Sequence, residues 1–389
     1  MTSSVNFAQV RESSLFRGVS SEQVRELLDG NRLDSPVLLM STEEVARNYN
    51  ALKNAFPRAG IHYAVKSNNH PDLLAEVHRQ GGSFDVCSMG EANQILSLGV
   101  DPKELIHTHP IKSTEEFDKA VASGIETFVI DNPDEIRKLH RYPERRLKIM
   151  IRYRINTNTR AVVDLQYKFG CTTDMVLDLA NLIREAGHDV HGLCCHLGSQ
   201  CVYSDNYVQT VKVGSALIKQ LNENGFDIKL FDIGGGFPVE YVEPVPDIND
   251  FCEPINEALD SYLGKNIKVI CEPGRFISAS TTTLVCSVIG KAERDGKIWY
   301  YLDDGLYSTF SGIVFDHCQY PVVTAQPGEE KLSVLAGPTC DSFDVMYDGL
   351  MVPEQNVGDR IVFPMTGAYC AVSGSDFNSL KRPHYKTIR

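Results

Sequence analysis

Three short stretches of this chain carry side chains that could serve one ligand. Lys66 follows one apolar run, the triple glycine Gly234, Gly235 and Gly236 follows another, and Glu272-Pro273-Gly274-Arg275 follows a third. An amine suits an electrophilic carbonyl and a carboxylate suits an aromatic ring nitrogen. Glycine N–H groups beside an arginine suit a phosphate. Pyridoxal 5′-phosphate carries all three groups, and its chemistry asks for a Schiff-base lysine and a partner for the ring nitrogen. Each piece alone is unspecific, because most lysines are solvated and a glycine run is ordinarily a turn. The reading rests on the three together.

Side chains so far apart in sequence need strands whose ends meet. Strand-like runs at 61–67, 83–88, 105–110, 126–131, 147–156, 189–198, 228–236 and 268–275 alternate with helical periodicity at 41–56, 71–81, 114–124, 174–187, 206–225 and 248–264. Ser41 followed by Glu44 has the spacing of a capping box. Eight strands alternating with helices is the count of a (β/α)8 TIM-like barrel. A doubly wound sheet also alternates, but with fewer strands before its switch point. Lys66, Asp85, Ser88, Arg154, His196, the glycines and Glu272 all fall at or near the C-terminal ends of their strands, the barrel's catalytic face. The glycine run and Gly274-Arg275 follow the last two strands, where barrels commonly bind phosphate. After Arg275 the helices stop, and runs at 281–291, 297–302, 332–336 and 359–364 read as strands of a second domain. The expected division is a cofactor-binding barrel over 38–269 and a C-terminal β-sandwich or barrel domain built from 1–37 and 270–389.

Composition narrows the partners. With 42% hydrophobic and 23% charged residues in 389, the chain reads as globular. A net charge of −13 argues against a nucleic-acid partner and mildly favours a small cationic one. No apolar run is long enough to span a membrane, and the N-terminus lacks a signal-peptide core. The 11 cysteines are odd in number and include no Cys-x-x-Cys pair, which points to reduced, packed thiols in the cytoplasm and to no metal site.

Longer motifs sharpen this. Tyr63-Ala64-Val65-Lys66-Ser67-Asn68, Phe84-Asp85, His196-Leu197-Gly198-Ser199, Asp-Ile-Gly-Gly-Gly-Phe-Pro at 232–238 and Glu-Pro-Gly-Arg at 272–275 stand in that order. The C-terminal third adds Asp304-Gly305-Leu306-Tyr307, Phe315-Asp316-His317, Gly-Pro-Thr-Cys-Asp at 337–341 and Gly367-Ala368-Tyr369. By these motifs, over nearly its whole length, the chain resembles the fold-type III pyridoxal-phosphate decarboxylases, in particular the eukaryotic-type ornithine decarboxylase group. The resemblance implies an alanine racemase-like barrel with a β domain, working as a head-to-tail homodimer with shared active sites.

It also implies roles. Lys66 would hold the cofactor, and Glu272 would keep the ring nitrogen protonated, making a strong electron sink for a quinonoid intermediate. Racemases of this fold place an arginine there instead. Gly234, Gly235, Gly236, Gly274 and Arg275, with hydroxyls from Ser199 and Tyr369, would bind the phosphate, and His196 would stack on the ring. Asp85, Glu91 and Arg154 match positions that orient the lysine and the cofactor, with structural ion pairs as the plainer reading. Asp316 and, from the other subunit, Asp341 would take a distal ammonium. Cys340 would reprotonate the α-carbon, and Phe315, Tyr307 and the partner-contributed Phe377 would line the substrate. Three departures surround Asp316: Phe315 replaces a common tyrosine, Ser311 a common asparagine, and Gln319-Tyr320 the usual residues.

The implied activity is decarboxylation of a basic amino acid, L-ornithine to putrescine first and L-lysine to cadaverine second. Diaminopimelate, carboxynorspermidine or diaminobutyrate decarboxylation is the alternative, followed by racemisation. A non-catalytic regulatory homologue of the antizyme-inhibitor kind is disfavoured because Lys66, Glu272, Arg275 and Cys340 are all present.

Overall fold

The computed structural model describes residues 34–155, 161, 166–324 and 328–388. Its described residues divide into two compact units, one within 48–238 and 245–276, the other within 34–47, 239–244 and 277–388. The first strand, β1 (Val37–Ser41), belongs to the second unit.

The first unit is a closed barrel of β2 (Ala59–Ala64), β3 (Ser83–Val86), β4 (Ile106–His107), β5 (Thr127–Ile130), β6 (Lys148–Arg152), β7 (Asp189–Cys194), β8 (Leu230–Asp232) and β9 (Lys268–Cys271). All neighbours are parallel, and β2 closes the ring against β9. All eight expected strands are there, each shorter than its pattern. Burial continues past the last paired residue, as at Val65, Ser67 and Leu197. Hydrophobicity therefore does not mark where a ladder of hydrogen bonds ends. Position 156, the expected end of the fifth run, lies outside the described residues. Ile106, Val129, Met150, Cys194, Leu230 and Ile270, one from each of β4 to β9, form one core cluster. Burying a large side chain of this kind stabilises the fold by about 1.5–3 kcal/mol.

The helices of the outer layer are α1 (Thr42–Ala55), α2 (Pro71–Arg79), α3 (Met89–Leu96), α4 (Thr114–Ala122), α5 (Pro133–Leu139), α6 (Val176–Glu185), α7 (Ser204–Glu223) and α8 (Ile248–Tyr262). At the start of α1, Ser41 Oγ accepts the Glu44 N–H at 3.2 Å. Helices α3 and α5 are too short to show periodicity and are set by their caps. Ser88 Oγ accepts the Glu91 N–H at 3.3 Å, and Asn132 Oδ1 accepts the Glu135 N–H at 3.1 Å ahead of Pro133.

The second unit is a mixed eight-stranded sheet. Its further strands are β10 (Thr282–Arg294), β11 (Lys297–Leu302), β12 (Val323–Thr324), β13 (Glu330–Ala336), β14 (Val345–Pro353), β15 (Arg360–Phe363) and β16 (His384–Ile388). The order is β12-β15-β10-β11-β13-β14, with β1 joined antiparallel to β10 and parallel to β16. The long β10 pairs with β1 and β15 through its first half and with β11 through its second, the register shifting between Val288 and Gly290. The observed division differs from boundaries at 38 and 269. Residues 38–47 and 239–244 go with the sheet, and 270–276 go with the barrel. Pairing of β1 with strands more than 240 positions away leaves no local trace in sequence. The expected contribution of residues 1–33 lies outside the described residues.

Candidate active site

The C-terminal ends of the barrel strands gather most of the expected residues. Lys66 sits in the 3-10 turn Val65–Ser67 that follows β2. Its ammonium pairs with Asp85 of β3, whose other oxygen accepts the hydroxyl of the buried Thr108. Beside them Glu91 accepts the Cys87 N–H at 2.7 Å. Burial pushes the Glu91 carboxyl up.

Across the mouth, β8 ends at Asp232 and β9 is followed by Glu272. Both carboxyls are buried, Glu272 with 7% exposure. Burial pushes both up, Asp232 to about 7, and the neighbouring Asp232 carboxyl raises Glu272 further. Lys66 and Asp85 lie close enough to bias both acids. His196, partly exposed after β7, is held neutral well below the usual histidine range by desolvation and by the positive charges of Arg152 and Lys66.

The glycine run forms a cradle that side chains would fill. A Cβ on Gly234 would lie 2.5 Å from the Cys195 carbonyl oxygen, on Gly235 2.1 Å from that of Glu272, and on Gly236 2.0 Å from that of Gly198. Gly234 and Gly236 also have φ of 75° and 94°, the left-handed region. Tyr207 fixes the loop from behind, donating its hydroxyl to the Gly235 carbonyl at 2.8 Å. Next to it the Arg275 guanidinium, with only 4% exposure, donates to Ser199 Oγ at 3.2 and 3.0 Å. Gly274 lies in the turn between Glu272 and Arg275, and the Pro273 carbonyl accepts the Ala64 N–H at 3.2 Å.

An amine, a carboxyl pair, a neutral imidazole and a bare glycine loop with a buried arginine match aldehyde, ring nitrogen, ring face and phosphate in turn. The donor set fits pyridoxal 5′-phosphate. Arg154 follows β6, with Nη1 donating to the Gln166 carbonyl at 3.4 Å and Nε buried without a hydrogen-bond partner. Tyr369 lies in the other unit, where its φ of 54° is in the left-handed region.

The sheet unit carries a second cluster. The rings of Tyr307 and Phe377 stack with centroids 4.5 Å apart, and the Tyr307 hydroxyl donates to Asp341. The Cys340 N–H donates to Asn378 Oδ1 at 3.0 Å. Buried Asp344 organises the loop, accepting the Leu306 N–H at 2.7 Å and the Thr339 N–H and hydroxyl at 3.1 and 2.7 Å. Tyr307 thus groups with Asp341 and Phe377. Asp316 follows the short helix Ser311–Phe315, its N–H donating to the Gly312 carbonyl at 3.0 Å. Ser311 is buried and bonds the Cys370 carbonyl and the Ser373 hydroxyl at 3.1 and 2.9 Å, so this departure from the family's asparagine anchors the turn that carries Asp316. Cys340 is exposed, as are Phe315 (64%), Phe343 (60%) and Phe377 (40%).

Sequence reasoning assigned no role to Asp232, Thr108 or Tyr207. Asp232 carried a signal, an acid at a strand end two residues before the glycines. Thr108 and Tyr207 act only through neighbours distant in sequence and carried none.

Residues 42–279 match the family model described as the pyridoxal-dependent decarboxylase, pyridoxal binding domain. The lysine/ornithine decarboxylase of Selenomonas ruminantium is 36% identical over 92% of this chain and 91% of its own length. A crystal structure of lysine/ornithine decarboxylase complexed with putrescine from Vibrio vulnificus superposes with a TM-score of 0.89 at 38% identity, covering 95% of this chain and 99% of that one. SrLDC in complex with PLP and cadaverine gives 0.88 at 33% identity, covering 95% and 94%.

Proposed function

This chain belongs to the pyridoxal-dependent decarboxylases, and from that premise we propose that it removes the α-carboxyl group of ornithine or lysine. When bound, pyridoxal 5′-phosphate draws electrons from the α-carbon as carbon dioxide leaves. The chain's own residues prepare that step. Lys66 presents the amine for the aldehyde carbon, with Asp85, Thr108 and Glu91 orienting it. Glu272 receives the ring nitrogen, and neutral His196 packs on the ring. The main-chain N–H groups of Gly234, Gly235 and Gly236, with Arg275, Ser199, Gly274 and Tyr369, hold the phosphate, and Arg154 supports the mouth. The observation that carries this reading is the meeting of the Lys66–Asp85 pair, the Asp232–Glu272 acids and the Arg275–Ser199 contact around a cradle that only glycine fits.

In the same reading Asp316 and Asp341 take the distal ammonium, Tyr307, Phe315 and Phe377 line the chain of the substrate, and Cys340 Sγ returns a proton to the α-carbon. The active form is a homodimer whose second copy covers the exposed Cys340, Phe315 and Phe377, which supports sites shared between copies. All eleven cysteines are free, which suits a reducing compartment such as the cytoplasm, and no helix among the described residues is long and apolar enough to cross a membrane. Carbon dioxide release from a panel of ornithine, lysine, arginine, diaminobutyrate and diaminopimelate tests the reading. Ornithine or lysine should lead. A preference for diaminopimelate would overturn the two-carboxylate assignment, since its distal carboxylate would be repelled by Asp316 and Asp341.

A further inference from the structure

The acid pair at the ring end of the cradle contains one oxygen whose bonding is unexplained. Asp232 Oδ1 accepts the Gly234 N–H at 2.8 Å. Asp232 Oδ2 is buried and has no hydrogen-bond partner. Strands β8 and β9 are neighbours, with Asp232 in register with Ile270, and the Glu272 N–H in turn donates to the Gly234 carbonyl at 2.9 Å. Glu272 therefore stands beside Asp232 over the same loop, and the two side chains interact directly. Two carboxylates in contact cannot both stay ionised away from water, and a carboxylate oxygen has no hydrogen of its own to offer. A proton between them satisfies Oδ2 and halves the buried charge.

The other titratable groups facing the pair are Lys66 and Asp85 across the mouth and Tyr153, Cys194, Cys195 and Cys271 along the strands. Tyr153 and the three thiols are all pushed upward by burial. They stay neutral, as does His196, and the local charges are the acid pair, the Lys66–Asp85 pair and Arg152, which acts on Cys194, Cys195 and His196.

We propose that Asp232 and Glu272 share one proton, and that when the cofactor's ring nitrogen meets Glu272 this proton rests on Asp232, which then donates to Glu272 as a positioning residue. The pair carries one negative charge before and after, so no proton enters or leaves it. The charge is concentrated on Glu272, where the protonated ring nitrogen balances it, and the hydrogen bond from Asp232 fixes the plane of that carboxylate. The inference rests on the proposed role of Glu272.

Three substitutions separate the alternatives, read by cofactor dissociation constants and by the nuclear resonance of pyridoxal phosphate labelled at the ring nitrogen. Asp232→Asn keeps a donor toward Glu272 and an acceptor for Gly234, so affinity should stay within about threefold and the nitrogen should remain protonated. Asp232→Leu removes the donor, and affinity should fall about tenfold or more, the scale of one hydrogen bond to a charged group, with the resonance moving toward the unprotonated ring. Glu272→Gln should move the resonance as well. In the unmodified protein the infrared band of a protonated carboxyl should be present at neutral pH and persist after loading, and Asp232→Asn should remove it. This measurement holds even where Asp232→Leu fails to fold. Loss of the band on loading, or equal damage from Asn and Leu, overturns the shared proton. A resonance moved by Glu272→Gln but untouched by Asp232→Leu sinks the role of Asp232 alone. A resonance untouched by Glu272→Gln sinks the reading of Glu272 beneath it.

Discussion

The barrel mouth and the loops of the sheet unit use the same side-chain types in opposite surroundings. Asp232 and Glu272 are buried and pushed up, whereas Asp341 is half-buried and held below the usual carboxylate range by the Phe343 N–H and the Tyr307 hydroxyl. Cys194 and Cys271 are packed in the barrel, whereas Cys340 faces solvent. Arg275 is buried on Ser199, while Phe315 and Phe377 are open. The difference teaches that, in the proposed reading, one chain would complete its cofactor half by its own packing and leave its substrate half uncovered. Burial sets charge states at the mouth. At the loops, hydrogen bonds within the chain fix side chains that remain open to solvent.

If that contrast is right, the largest effects come from the mouth. Lys66→Ala should lower turnover by at least about a thousandfold and abolish the borohydride-reducible cofactor adduct seen by mass spectrometry. An adduct of unchanged yield would mean another lysine holds the cofactor. Cys340→Ala should cost about a hundredfold, the scale of one general acid, with cofactor affinity and thermal stability unchanged because the thiol is exposed.

The contrast is sharpened by mixing these two inactive proteins under conditions that exchange subunits. Half of randomly formed dimers are mixed, each with one intact site of two, so activity should recover to about a quarter of the unmodified protein. Proven exchange without recovery would place Lys66 and Cys340 in one chain's site.

Smaller effects should divide cleanly between the two regions. Arg275→Ala should weaken cofactor binding by about ten- to a hundredfold with near-normal turnover at saturating cofactor. Asp341→Asn should raise KM for the diamino acid by about tenfold and leave cofactor affinity alone. If either variant moves both quantities equally, the halves are not independent.

The smallest effect is on stability against pH. His62 and His107 are buried neutral in the barrel, lowered to about 4 and about 3 from 6.5 by desolvation. A folded value below the unfolded one means their contribution is complete above 6.5 and is lost as pH falls toward those values. Asp232 runs the other way, its contribution being present below 3.8 and lost as pH rises toward about 7. The thermal midpoint of His107→Leu, in which the two ring nitrogens without a hydrogen-bond partner are gone, should fall less on acidification than that of the unmodified protein. An unchanged acid slope would show that His107 is not held neutral.

Much of the molecule was legible because its signals are local. Each barrel strand is a short apolar run, and Lys66, His196, Gly234 and Glu272 stand just beyond the runs that carry them, so type and position could be read together. The cap at Ser41 was expected from its spacing to Glu44, and those at Ser88 and Asn132, which the expectations did not include, rest on the same three-residue hydrogen bond. What tertiary structure alone decided is long-range. The pairing of β1 with β10 and β16 moved residues 38–47 out of the barrel unit. The placing of Thr108 on Asp85, Tyr207 on Gly235 and Asp232 beside Glu272 depends on strand register around a closed ring. Side-chain type fixes what a residue can bond to, but its charge state depends on which neighbours exclude water from it, and those neighbours are chosen by the fold.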